Sequence, residues 1–285
     1  MKTAKLLPLF IGLFIGLFSL TIQAEPADFA LHLRKMKKMI PDDSFTILLE
    51  KPFVVIGSES PDLVKYRAEK TVKWSVDKLK AEYFKYDPCS IIDIWLFDGD
   101  DNYRKYAKEI FGDNPTTPFG YFSYSHNALI MNIATGGGTL VHEIVHPFIA
   151  ANFPNCPAWF NEGLASLYEQ SSERDGRIIG LTNWRLKGLQ EKIKSGKLPS
   201  FEYLCKTTTR EFYGGTTYSD NYAQARYLLF YLQEKGLLKK YYYEFVKNCE
   251  TDPTGYETLQ KILKIEDMKE FEKSWQQWIL KLTFP

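Results

Sequence analysis

The chain has 285 residues, of which 45% are hydrophobic and 25% charged, and 36 Lys and Arg against 35 Asp and Glu leave a net charge of +1. These values exclude a collagen-like, low-complexity or disordered chain, and the charge balance argues against a nucleic-acid binder or a polyacidic tail protein. The uneven counts are 20 Phe, 18 Tyr and 6 Trp against only 4 His.

Residues 1–24 carry no acidic residue. Lys2 and Lys5 precede an apolar run over 6–20, and small Ala24 stands before Glu25-Pro26. This pattern reads as a secretory signal peptide cut after Ala24. The alternative is a retained membrane anchor, but a spanning helix needs about 20 apolar residues. Removal leaves residues 25–285 and shifts the net charge from +1 to −1. That length suffices for a single domain with a substantial core. Cys89, Cys156, Cys205 and Cys249 form an even set without Cys-x-x-Cys spacing. Structural bridges and buried free thiols both remain open.

Short β-type runs fall at 45–49 and 53–56, with Lys51-Pro52 between them. Ser60-Pro61 starts a helix to about Phe84, striped by Val64, Ala68, Val72, Val76, Leu79 and Tyr83. A strand at 91–97 and a helix over 100–111 follow. Two more strands are predicted at 120–123 and 128–134. Gly136 to Gly138 read as a flexible turn into a helix from Thr139, because the phosphate-binding glycine patterns are lacking. Beyond that point nearly everything reads as helix: 157–170, 221–234, 237–248 and a last helix burying Met268, Phe271, Trp275, Trp278 and Leu282. The fold class is therefore α+β, a sheet-bearing lobe over about 42–151 and a mainly helical lobe over about 152–285.

His142-Glu143-Ile144-Val145-His146 lies on the helix after the glycines. Histidines four apart share one helical face, so both imidazoles can converge on one Zn²⁺. Glu143 is rotated by about 100° from His142 and can reach a water without being a ligand. A catalytic zinc site takes three protein ligands and keeps a fourth position open. Glu162, in Trp159-Phe160-Asn161-Glu162-Gly163-Leu164-Ala165, supplies the third. Gly163 and Ala165 are small enough for two helices to approach there.

These two segments together resemble the gluzincin metallopeptidases, whose members include thermolysin and the aminopeptidase N-like enzymes. The nearest likeness is to the small exported bacterial domains called peptidase MA-like, over about 128–232. The resemblance implies a zincin-like fold, in which a twisted mixed sheet is backed by the His-Glu-x-x-His helix. It implies that 128–134 is the edge strand lining the cleft, where a peptide adds by main-chain hydrogen bonds. Tyr222-Ala223-Gln224-Ala225-Arg226-Tyr227 resembles the helix bearing the transition-state tyrosine, which assigns that role to Tyr222, with Tyr218 as runner-up. Tyr222, Ala225, Leu229 and Leu232 equally form a core stripe. The spacing from His146 to Glu162 is shorter than in the large enzymes. Ser166 stands where thermolysin has an aspartate orienting a zinc-bound histidine, which leaves Asn161 or a backbone carbonyl for that task. No Gly-Ala-Met-Glu-Asn segment is present, which favours an endopeptidase over an aminopeptidase.

His126 lies in the turn before 128–134, within reach of a substrate or simply solvated, and His32 reads as a surface residue in a basic helix face with Arg34, Lys35, Lys37 and Lys38. The expected protein is an exported, periplasmic or extracellular zinc peptidase. One Zn²⁺ is held by His142, His146 and Glu162, Glu143 is the general base and Tyr222 the oxyanion donor. Its partner is a peptide or protein substrate, with no nucleic acid and no membrane span after signal removal. The competing readings are a non-catalytic peptide- or envelope-binding module and a secreted structural protein.

Overall fold

The computed structural model describes residues 28–214 and 218–284. The predicted signal peptide lies outside the described residues.

Helix α1 (Phe29–Met39) is capped by Asp28, whose carboxylate accepts the Leu31 N–H at 2.9 Å. Strands β1 (Thr46–Glu50) and β2 (Phe53–Gly57) form an antiparallel hairpin across the cis Lys51-Pro52 bond. Helix α2 (Pro61–Arg67) passes through a π-helical segment, Ala68–Lys73, into α3 (Trp74–Glu82). Strand β3 (Ile92–Phe97), helix α4 (Gly99–Phe111), and strands β4 (Gly120–Ser123) and β5 (Ala128–Asn132) complete the sheet lobe. The strand order is β1-β2-β3-β5-β4. β2, β3 and β5 are parallel, and β1 and β4 run antiparallel at the two edges.

Side chains alternate across the sheet with the period of two that a pleated strand imposes. Phe53, Val55, Ile94, Leu96, Leu129 and Met131 join the larger core with α2, α3 and the later helices. Val54, Ile56, Trp95, Phe97 and Ile130 face the other way, into a smaller core with α1 and α4. The three parallel strands are thus buried on both faces, which explains why their runs are apolar apart from Asp93 and Asn132.

This arrangement corrects the expected edge. β5 lies between β3 and β4, and the edge strand is β4. The physical reason is composition: every β5 residue is buried, whereas Gly120, Tyr121 and Phe122 of β4 are half-buried. His32 is also corrected. Its Nε2 lies 2.7 Å from Oδ1 of Asp93, a buried strand residue, so α1 is tied to the sheet by a partly buried pair. The neighbouring Arg34, Lys35, Lys37 and Lys38 are exposed.

Helix α5 (Gly137–Asn152) carries the His-Glu-x-x-His segment, and α6 (Ala158–Leu167) carries Glu162. The region beyond is less uniformly helical than its sequence suggested. A hairpin of β6 (Ser171–Arg174) and β7 (Arg177–Gly180) follows α6, turning at Asp175-Gly176, both at positive φ. Its amphipathic signal is weak because each strand has four residues and only Ile178 and Gly180 are buried. Then come α7 (Arg185–Lys194), α8 (Phe201–Lys206), α9 (Thr209–Tyr213), α10 (Tyr218–Glu234), α11 (Leu238–Asn248), α12 (Tyr256–Leu263) and α13 (Met268–Ile279). Buried side chains from Phe53 to Ile279 belong to one continuous core, so sheet lobe and helical lobe share it. The four cysteines are free thiols. No helix among the described residues is long and apolar enough to cross a membrane.

Candidate metal centre

Two helix contacts build the site. Gly163 of α6 lets Ala225 and Leu229 of α10 come close, and a Cβ there would stand 3.2 Å from each. At the start of α5, a Cβ on Gly138 would collide with the Glu169 carbonyl oxygen. The second of the three glycines in this turn packs against Thr71, while Gly136 supplies a φ of +106°. The turn is therefore a close-packed junction that holds the beginning of α5 against the end of α6, not a loose linker.

His142 and His146 project from one face of α5, with ring centroids 4.9 Å apart at 79°. Glu162 Oε2 lies 3.2 Å from His142 Nε2 and 3.8 Å from His146 Nε2. The three residues each offer one ligand atom within 4.8 Å of the others. Ligand atoms of a tetrahedral zinc site stand roughly 3.4 Å apart, given bonds of about 2.1 Å. Glu162 Oε2 is buried and makes no aligned hydrogen bond, an arrangement that costs free energy unless a cation is shared there. Two imidazoles and a carboxylate in this placement fit one metal ion.

The outward nitrogens also face polar groups. Asn161 Oδ1 lies 2.9 Å from His146 Nδ1, so the residue beside Glu162 orients the second histidine. Glu169 Oε1 lies 3.2 Å from His142 Nδ1, an ion-pair contact without hydrogen-bond alignment. Glu169 is fixed in turn by Arg185, through Nε at 3.1 Å and Nη2 at 2.8 Å, and by Asn183 Nδ2 at 3.2 Å. Sequence reasoning missed Glu169 and Arg185. The available signal was spacing: Glu162, Ser166 and Glu169 recur at intervals of four and three. Ser166 itself turns inward and donates to the Glu162 carbonyl at 2.6 Å.

Charges in this cluster shift together. Burial disfavours charge on His142, but the Glu162 and Glu169 carboxylates outweigh it and raise the imidazole's pKa. Burial likewise opposes ionisation of Glu162 and Glu169. The histidines hold Glu162 below the usual carboxylate range, and His142 with Arg185 does the same for Glu169.

The site forms the floor of a cleft of about 680 Å³. His142, Glu143, His146, Glu162, Tyr213 and Tyr222 face it, and the edge strand β4 contributes Gly120, Tyr121 and Phe122. Glu143 is half-buried on the cleft wall, outside the ligand trio. Pro147 follows His146 and removes the N–H that would close on the Glu143 carbonyl. Tyr222 is buried, packs on Phe212 and Tyr213, and lies under the Arg185 guanidinium at 5.2 Å. The side chain of Tyr218 lies outside the described residues. A second phenol that sequence reasoning did not single out, Tyr213, donates to Glu162 Oε1 at 2.5 Å. His126 sits in its turn with Nδ1 at 3.0 Å from Ser123 Oγ and its ring against Phe111.

Residues 136–253 match a family described as a protein of unknown function (DUF1570). That span contains all five of the expected site residues. No curated protein matches the chain.

Proposed function

We propose that this chain is an exported, zinc-dependent peptidase of the gluzincin type that cuts within peptide chains. The observation that carries the reading is the convergence of His142, His146 and Glu162 on the floor of an open cleft, with Glu143 on its wall. His142 Nε2, His146 Nε2 and Glu162 Oε2 would hold the ion. Zinc, when bound in such a site, lowers the pKa of water and polarises a carbonyl.

The chain's own residues supply the rest. A peptide lies along the cleft beside β4, whose outer edge is available for main-chain pairing. Glu143 takes the proton of the attacking water on its carboxylate. It then delivers that proton to the leaving amine nitrogen, so the carboxylate ends as it began. Tyr222 donates its hydroxyl to the oxygen on which charge develops. Asn161 and Glu169 keep the two imidazoles oriented throughout. Export rests on the leader-like residues 1–24.

The test is metal analysis of the purified protein with peptide-library digestion by wild type and Glu143→Gln. Zinc in both, with cleavage only by wild type, is the expected result. Cleavage by Glu143→Gln at the wild-type rate would overturn the assignment of the base, and absence of metal from wild type would overturn the reading.

A further inference from the structure

We propose that Tyr213 is a positioning residue that holds Glu162 as a one-oxygen ligand. The inference rests on the metallopeptidase reading above and deepens it. Tyr213 Oη donates to Glu162 Oε1 at 2.5 Å, a charge-assisted bond. The other oxygen, Oε2, is the one turned toward His142 Nε2 and His146 Nε2. A carboxylate engages a metal through one oxygen or through both. A phenol bonded to Oε1 occupies one of its two lone pairs and fixes the plane of the group, which presents Oε2 to the ion. That keeps the coordination number low and leaves room for water and substrate.

The phenol is placed with some care by its surroundings. Its ring packs edge-on against Phe212 at 5.4 Å and beside Tyr222 at 6.3 Å. The short helix α9 that ends at Tyr213 begins in a reciprocal cap, with Thr208 and Glu211 bonded to each other's backbone. Asn221 Nδ2 donates to the Phe212 carbonyl at 3.0 Å, which ties α9 to α10. Tyr213 itself is 41% exposed on the cleft rim. Loss of its hydroxyl therefore removes the bond to Glu162 Oε1 without opening the core.

Cobalt(II) substitution reads this directly, because its visible absorption weakens as coordination rises from four to five. We expect Tyr213→Phe to keep the wild-type fold without metal by circular dichroism, melting a few degrees lower for the lost bond. With Co²⁺, Tyr213→Phe should show weaker visible bands as Oε1 joins the ion. Its Zn²⁺ affinity, from competition with a chromophoric chelator, should fall about tenfold. An unchanged cobalt spectrum and a zinc affinity within about twofold of wild type would overturn the role of Tyr213 while leaving the peptidase reading intact. Failure of wild type to bind either ion would overturn both.

Discussion

Glu169 Oε1 stands 3.2 Å from Nδ1 of His142, although one residue follows the end of α6 and the other lies within α5. The contact exists because Gly138 lets the backbone of α5 abut the Glu169 carbonyl. It makes the first histidine of the trio depend on a carboxylate that is itself gripped by Arg185.

Replacement of Glu169 tests that dependence. Glu169→Gln should weaken zinc binding by about 10- to 100-fold, the usual cost of losing an orienting partner. Isothermal titration or chelator competition measures it. Equal affinity in the variant would show that His142 needs no such support.

Glu143→Gln should keep the metal and the fold but lose at least about a hundredfold in kcat, the range expected for a general base. Zinc content, melting temperature and peptide turnover check the three parts separately.

Gly138→Ala should destabilise the protein by about 1–3 kcal/mol, the typical cost of overpacking. The new methyl meets backbone rather than a flexible side chain, so the α5–α6 junction must part. Urea unfolding gives the stability, and zinc affinity should fall with it because Glu169 moves away from His142.

Arg226→Met should cost about 2–4 kcal/mol. The guanidinium is fully buried and donates to the carbonyls of Ser166 and Leu167 at the end of α6 and of Leu181 just after β7. The variant removes that donor from the Leu167 and Leu181 carbonyls, while Ser166 keeps the Glu169 N–H at 3.3 Å. Thermal or urea unfolding of the metal-free protein measures the loss.

Chelated protein should have a distinctive pH profile. His142 is raised in the fold, so its contribution is complete below its ordinary 6.5 and is lost as pH climbs through the higher folded value. Glu162 and Glu169 are lowered, so theirs is complete above 4.5 and is lost as pH falls through the depressed folded values. The cluster thus stabilises the metal-free protein most between about 4.5 and 6.5. Zinc competes with the His142 proton, so the melting temperature gained on adding zinc should grow from pH 6 to pH 8. A gain that does not vary with pH would contradict this linkage.

Much was legible in the chain itself. The helix stripe from Val64 to Tyr83, the apolar strands and the spacing of His142 and His146 follow from local periodicity, which needs no tertiary information. Glu162 was legible because a carboxylate among Trp159, Phe160 and Leu164 needs a buried partner. The position of β5 was not, because alternation and run length reveal a strand but not its neighbours; pairing with β3 on one side and β4 on the other made it interior. The β6–β7 hairpin was hidden by its shortness. Glu169, Arg185 and Tyr213 were hidden because their relation to the site runs across helix packing rather than along the sequence. The sequence by itself determined which residue types meet on one face of α5 and which carboxylate joins them. The tertiary structure decided which side chains surround those three, because that depends on how closely Gly138 and Gly163 allow separate helices to approach.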